Sequence, residues 1–253
     1  MDDHELAQTL AEETGRLLMD VRARLIAEGV SSGELKDEGD RLAHELLMER
    51  LAAARPDDAV LSEEGSGDTG RYTTSRVGAP RVWIVDPLDG TREFGEPGRS
   101  DWAVHVALVE DGRPTAGAVA LPAQGRVLST ASPQPMAPLV GRPRMVVSRT
   151  RPPAVAVHLA EALDAELIPM GSAGAKVAAV VYGEADLYPH TGGQYEWDSC
   201  APVAVANATG LWTSRIDCSP LVYNNVDPYL PDLLVCHPGL IDAVRDALAG
   251  FVV

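Results

Sequence analysis

Residues 82–91, V-W-I-V-D-P-L-D-G-T, constrain the fold of this chain more than any other segment. The segment begins with four apolar residues in a row, a pattern typical of a strand buried on both faces. Pro87 has no amide to donate within a sheet, and Asp is favoured just before a helix. The pattern therefore predicts that the strand stops at Asp86 and leads into a turn or a helix start. Asp86 and Asp89, three positions apart, would then point the same way in one helical turn.

Two carboxylates this close repel each other unless a positive charge lies between them. The functional interpretation is a metal and phosphate site. Asp86 and Asp89 would hold Mg²⁺, Gly90 would let the backbone approach an anion, and Thr91 would add a hydroxyl group. The simpler interpretation is a capped helix with a solvated Asp89. The motif alone does not decide between the two.

Composition excludes several classes of function. The net charge of −16 disfavours nucleic acids and anionic membranes as partners. No apolar run approaches the roughly 18 residues of a membrane span. The acidic N-terminal residues are unlike the start of a signal peptide, so we expect a cytoplasmic location. The three cysteines and six histidines lack the spacing of zinc ligands, which argues against zinc chemistry.

Periodicity divides the 253 residues into two halves, and the predicted fold class is α/β. Residues 1–140 are predicted to form an α+β half with two helices, 5–27 and 40–54, and an antiparallel sheet. A polar loop is predicted over 66–80. The stretch 131–144 is rich in Pro, Gly and Ser and indicates the boundary. Residues 141–253 alternate strands with helices, which favours an α/β half.

Further acidic residues occupy comparable positions. Glu63 follows a short predicted strand, and Asp198 lies in the first turn of a predicted helix. Asp40 is expected at the N-cap of the second helix. Capping explains each of these residues separately, but as a set they suit hard divalent cations, which prefer oxygen ligands. We therefore expect Glu63 and Asp198 to lie beside Asp86 and Asp89 in space.

The D-P-L-D-G-T motif after a buried strand, the earlier S-E-E and the later W-D-S resemble the inositol monophosphatase and fructose-bisphosphatase superfamily of Mg²⁺-dependent phosphatases. Within it, five stretches are most similar to the CysQ-type 3′(2′),5′-bisphosphate nucleotidases: 61–64, 83–94, 171–176, 195–201 and 227–232. The resemblance implies a layered αβαβα sandwich. It also implies removal of the 3′-phosphate from 3′-phosphoadenosine 5′-phosphate. The implied second substrate is 3′-phosphoadenosine 5′-phosphosulfate. Inositol monophosphate and fructose 1,6-bisphosphate are the alternative substrates.

The same resemblance assigns roles to individual residues. The implied ligands of two or three Mg²⁺ ions, at which Li⁺ should inhibit, are Glu63, Asp86, the carbonyl of Leu88, Asp89 and Asp198. The implied catalytic residues are Glu63 and the pair that orients and deprotonates the attacking water, Asp40 and Thr91. A small phosphorylated substrate would contact Asp89, Gly90, Thr91, Ser172, Lys176, Arg151 and His190. A homodimer is left open.

Two other classes of function remain to be compared. Aspartyl-phosphate phosphatases use D-x-D-x-T, whereas two residues separate the acids here. A nucleotide sensor without turnover is supported only by the segment before Asp40. That segment, L-K-D-E-G-D, lacks the Thr that the nucleotidases carry. Because the implied metal ligands are all present, the enzyme is the favoured hypothesis.

Overall fold

The computed structural model describes residues 1–64, 76–249 and 251, so most of the predicted 66–80 loop lies outside the described residues. The helices within this part of the chain are α1 (Asp3–Glu28), α2 (Ser32–Ala54), α3 (Thr91–Phe94), α4 (Ala154–Leu163), α5 (Ala173–Val181), α6 (Glu196–Thr209) and α7 (Ile241–Leu248). The strands are β1 (Ala59–Ser62), β2 (Arg81–Asp89), β3 (Ala103–Glu110), β4 (Arg113–Leu121), β5 (Arg126–Ser129), β6 (Arg144–Ser148), β7 (Glu166–Met170), β8 (Leu187–Tyr195), β9 (Trp212–Ser214) and β10 (Tyr229–Cys236).

The strands form two sheets of mixed direction. In the first sheet the order is β1-β2-β3-β4-β5. Its first two strands are parallel, and the remaining neighbours are antiparallel. In the second sheet the order is β7-β6-β8-β10-β9. There β6 runs parallel to both of its neighbours, whereas β10 is antiparallel to β8 and β9.

The elements form five layers with three apolar cores, two outer ones and a central one that surrounds α5 and α6 between the sheets. Alternate side chains of β2 enter two different cores, as the two-residue period of a strand requires. Trp83 and Val85 pack with α1 and α2, whereas Val82 and Ile84 face α5 and α6 between the two sheets. The third core lies between the second sheet and the outer helices α4 and α7. The predicted αβαβα sandwich is confirmed.

The predicted division at residues 140 and 141 falls between β5 and β6, so each half contributes one sheet. The central core, however, draws on both halves. Val177 of α5 and Ala201 of α6 belong to the same buried cluster as Val119 of β4. The assignment of two separate domains stays a prediction.

The predicted start of the second helix is wrong. Helix α2 begins at Ser32, eight residues before Asp40, so Asp40 lies in its third turn and not at the N-cap. Ser31 is the cap: its hydroxyl accepts from the Glu34 amide, and the Glu34 carboxylate accepts from the Ser31 amide. This reciprocal S-x-x-E pair is a capping box, and the two glycines that follow, at 33 and 39, do not interrupt the helix.

The predicted end of the central strand is also wrong. Strand β2 continues through Pro87 to Asp89, and its register against β3 shifts between Asp86 and Asp89. Asp86 pairs with His105, and Asp89 pairs with Ala103. Proline is tolerated at such a bulge because no ladder hydrogen bond is required of it there. The bulge, and not a helical turn, brings the two carboxylates together.

We predict that Gly117 sets the distance between the first sheet and helix α6, which carries Asp198. A Cβ at Gly117 in β4 would lie 2.7 Å from the Cβ of Ala204 in α6. Gly117→Ala should therefore lower the free energy of unfolding by about 1–3 kcal/mol through overpacking. Urea unfolding measures this cost.

The matched control is Gly117→Ala in an Ala204→Gly background, where the opposing methyl is absent and the added cost should nearly vanish. An equal cost in both backgrounds would contradict close packing at this contact.

Candidate active site

The fold brings the predicted acidic residues to one edge of the first sheet. Because β1 and β2 are parallel neighbours, Glu63 after β1 and Asp86 and Asp89 at the end of β2 lie at the same edge. Helix α6 begins there and supplies Asp198 from its first turn. One carboxylate oxygen from each of Asp86, Asp89 and Asp198 lies within 4.8 Å of the others. The carboxylate of Glu63 is hydrogen-bonded to Asp86.

Burial and the mutual repulsion of the carboxylates dominate the electrostatics of this cluster. Burial, reinforced by Asp198, raises the pKa of Glu63 to about 7. Burial and the charge of Asp89 raise the pKa of Asp198 to about 6. Asp86 is fully buried, and burial together with Glu63 raises its pKa well above the usual range. The donors are all hard oxygens, and a divalent cation would replace the retained protons, so these residues fit Mg²⁺.

Asp89 differs from the other acids because the protein itself satisfies it. Burial alone would raise its pKa, but His105 and several hydrogen bonds outweigh burial and lower the pKa to about 2. Its carboxylate accepts from the Ser172 hydroxyl and from the amides of Ala173 (3.2 Å) and Gly174 (2.6 Å). These amides belong to the first turn of α5, where the helix dipole favours a negative charge. Asp89 thus ties the end of β2 to α5.

The turn after β2 is a glycine turn held by hydrogen bonds. Gly90 has φ of 85°, a conformation that favours glycine, and it opens the short helix α3. A Cβ there would also lie 3.1 Å from that of Ser172. The Thr91 hydroxyl donates to the Leu88 carbonyl at 3.1 Å, while the Leu88 amide donates to Asp86 at 3.1 Å. The peptide groups of this loop are therefore fixed by the site's own side chains.

Asp40 approaches the same edge from helix α2. Burial, followed by the charges of Glu64 and Glu63, raises the pKa of Asp40 to about 8. One turn further along, His44 shares a hydrogen bond of 3.0 Å with the Ser62 hydroxyl, at the end of β1. Asp40 is therefore close to the acidic cluster, although its position in the helix differs from the predicted one.

A cleft of about 510 Å³ opens beside the cluster, and both acidic and basic groups line it. Its lining residues are Asp89, Ser172, Ala173, Lys176, Tyr188, His190, Gly192, Gly193, Gln194, Tyr195, Asp198 and Tyr229. Lys176 is nearly buried, and its ammonium group donates to the carbonyls of Gly171 (3.3 Å) and Ser172 (2.9 Å). It also lies 5.2 Å from the centre of the Tyr188 ring.

The predicted substrate contacts divide into two groups. Ser172, Lys176 and His190 line the cleft, with His190 bonded through Nε2 to the Gly193 carbonyl at 3.0 Å. Arg151 is exposed in the loop before α4 and is not among the lining residues. Its neighbour Arg149 forms ion pairs with Glu93 and Glu96.

Sequence reasoning missed His105 and the aromatic rim of the cleft. His105 lies within the apolar stretch 102–109, and only the pairing of β3 with β2 places it beside the acids. The rim contains Tyr195 and Tyr229, whose rings meet edge to face with centroids 6.1 Å apart. The sequence signal for His105 was a single ionisable residue inside an otherwise apolar strand.

Carboxylates that converge from strand ends and a helix start suit metal-assisted hydrolysis, which is the chemistry of metal-dependent phosphatases among other enzymes. The profile of the inositol monophosphatase family matches residues 3–249, and the chain belongs to this family. Across the described residues, every helix is too short or too polar to cross a membrane.

Two curated relatives and one solved structure are similar to this chain over most of its length. The chain is 48% identical over 248 residues to the 3′-phosphoadenosine 5′-phosphate phosphatase of Mycobacterium tuberculosis, covering 93% of this chain and 90% of that protein. It is 34% identical over 204 residues to the 3′(2′),5′-bisphosphate nucleotidase CysQ of Escherichia coli K12, covering 76% and 80%. The crystal structure of CysQ from Bacteroides thetaiotaomicron superposes with a TM-score of 0.75 at 26% identity, covering 93% and 97%.

We predict that the metal-free protein loses stability as the pH rises from about 4 to about 8. Asp198, Glu63 and Asp40 have folded pKa values of about 6, 7 and 8, above those of the unfolded chain. The folded state therefore binds more protons, and its stability falls as the pH rises through these values. Urea unfolding in EDTA across this range measures the slope, and millimolar Mg²⁺ should flatten it.

Two variants of helix α2 form a matched pair for this prediction. Asp40→Asn should reduce the fall of the unfolding free energy with pH near pH 8. Asp37→Asn, which changes an exposed acid on the same helix, should leave most of that fall in place. Stability that rises with pH in EDTA would contradict the assignment.

Proposed function

We propose that this protein removes the 3′-phosphate from 3′-phosphoadenosine 5′-phosphate in a reaction that depends on Mg²⁺. The observation that carries the proposal is the composition of the cleft, which joins the carboxylates of Asp89 and Asp198 to the ammonium group of Lys176, with the imidazole of His190 in the same lining. A bisphosphate needs both kinds of group, since one phosphate is cleaved and the other is only held. The identity to mycobacterial phosphatases of that name supports this substrate.

The metal ligands in this proposal are Glu63, Asp86, Asp89 and Asp198, with the Leu88 carbonyl. When bound, Mg²⁺ supplies positive charge that offsets the charge developing on the phosphoryl oxygens. The amides around Gly90 and Thr91 hold the phosphate that is removed, since the loop that presents them is fixed by hydrogen bonds to Asp86 and Leu88. The proposal includes two or three Mg²⁺ ions and inhibition of the reaction by Li⁺.

Asp40 and Thr91 act on the attacking water. The raised pKa of Asp40 suits a proton acceptor working near neutral pH, because a base is most effective when its pKa is close to the working pH. The Thr91 hydroxyl donates its proton to the Leu88 carbonyl, so its lone pairs remain to accept from the water. Glu63, a metal ligand in this proposal, contributes to the raised pKa of Asp40 after burial and Glu64.

The experiment that tests this function compares substrates at equal concentration with purified protein and Mg²⁺. We expect kcat/KM to be highest for 3′-phosphoadenosine 5′-phosphate, ahead of inositol 1-phosphate and fructose 1,6-bisphosphate. If either of the latter is hydrolysed with the higher kcat/KM, the proposed substrate is wrong although the chemistry stands.

We predict that Lys176 recognises the phosphate that is retained. Hydrogen bonds to charged groups contribute about 1.5–3 kcal/mol, so Lys176→Met should lower kcat/KM for 3′-phosphoadenosine 5′-phosphate roughly 10- to 100-fold. The same variant should change kcat/KM for 3′-AMP, which has no 5′-phosphate, less than about threefold.

Arg151→Met is the matched control for Lys176→Met. Arg151 is exposed and outside the cleft lining, so we expect both substrates to be hydrolysed at wild-type rates. A loss of bisphosphate selectivity in Arg151→Met, with selectivity kept in Lys176→Met, would reassign the retained phosphate to the loop before α4.

We predict that Asp40→Asn lowers kcat by about 10²–10⁴ with KM nearly unchanged, because it removes the proton acceptor and no substrate contact. Steady-state kinetics at saturating Mg²⁺ measure the effect. Asp37→Asn, an exposed acid three residues earlier, should keep wild-type kcat. Full activity of Asp40→Asn would remove this residue from the mechanism.

A further inference from the structure

His105 is a fully buried histidine whose two ring nitrogens face different parts of the active site. Its Nδ1 lies 3.0 Å from the carbonyl oxygen of Trp197, and its Nε2 lies 3.2 Å from Oδ2 of Asp89. A carbonyl oxygen can only accept, so Nδ1 carries a proton and the orientation of the ring is fixed. The ring thus links β3 to the first turn of α6, one residue before Asp198.

The contacts of Asp89 distinguish its two oxygens. Oδ2 accepts from the Ser172 hydroxyl and the Gly174 amide and faces His105, whereas Oδ1 accepts, among the described residues, a single bond of 3.2 Å from the Ala173 amide. Oδ2 is therefore fully engaged by the protein. Oδ1 is the oxygen left with capacity for a cation.

Gly174 provides the space for the histidine ring. A Cβ at this position would overlap Nε2 of His105 and would lie 3.1 Å from the Cβ of Ala103. The backbone of α5 can therefore approach Asp89 and His105 together only because residue 174 has no side chain. Three elements, β2, β3 and α5, meet within hydrogen-bonding distance at one carboxylate.

We infer that His105 is a positioning residue that holds Oδ2 of Asp89 so that Oδ1 faces the metal. His105 is not among the residues that line the cleft, so in this inference it acts through Asp89 alone. Partners that orient a metal ligand typically change metal affinity 10- to 100-fold when they are removed. The inference rests on the proposed metal site and is independent of which phosphate ester is hydrolysed.

Two conservative variants separate orientation of Asp89 from a merely structural role. In His105→Gln the amide nitrogen occupies the region of Nε2 and can still reach Asp89. In His105→Asn the amide nitrogen occupies the region of Nδ1, so it keeps the bond to the Trp197 carbonyl and loses Asp89. Mn²⁺ binding to the metal-stripped full-length protein is followed by the electron paramagnetic resonance signal of free Mn²⁺, and the Tm is measured in EDTA.

The expected result is Mn²⁺ binding about 10- to 100-fold weaker in His105→Asn and within about threefold of wild type in His105→Gln, at similar Tm in EDTA. Gly174→Ala, which displaces the ring without altering it, should resemble His105→Asn. Unchanged Mn²⁺ affinity in His105→Asn, or equal losses in both variants that follow their Tm, would overturn the inference. Failure of the wild-type protein to bind Mn²⁺ would instead overturn the proposed metal site.

Discussion

The mutual repulsion of buried carboxylates is the constraint on which this structure depends. Four acids from three separate segments meet where water is largely excluded, and the raised pKa values of Glu63, Asp86 and Asp198 express the cost of that arrangement. Such a cluster persists because rigid elements impose it: two parallel strand ends and one helix start. The same cost that opposes the metal-free state favours divalent cations, since each cation removes both the repulsion and the need to retain protons.

Asp89 is the one acid of this cluster whose pKa is lowered and not raised. It is held by a hydroxyl, two helix amides and a buried histidine, and these contacts lower its pKa, whereas burial raises the pKa values of its neighbours. A fixed negative charge among acids with raised pKa values gives the site one carboxylate that stays ionised before any cation binds. The helix that anchors Asp89 also carries Lys176, so the same contact connects the acidic cluster to the ammonium group that we propose as the ligand of the second phosphate.

Several parts of the structure could be predicted because their signals are local. The apolar run before Asp86 predicted the central strand, and oxygen donors after strands and at helix starts predicted the cluster. The errors arose where local rules compete. Pro87 suggests an end to a strand, but a bulge accommodates it within the sheet. Asp40 suggests a helix cap, but the capping box at Ser31 and Glu34 had already started that helix. In both cases the sequence correctly placed the residue near the site, but the secondary structure predicted for it was wrong.

The sequence by itself determined the chemistry, because carboxylates at strand ends, a glycine turn and a buried strand are properties of residue type and order. Only the tertiary structure decided which groups act together. His105 reaches Asp89 through strand pairing across 16 residues of chain, and Lys176 joins Asp198 in one cleft because α5 and α6 share the central layer. Arg151, a predicted substrate contact, is not among the residues that line that cleft. Long-range packing fixes distances between side chains, and no local periodicity encodes them.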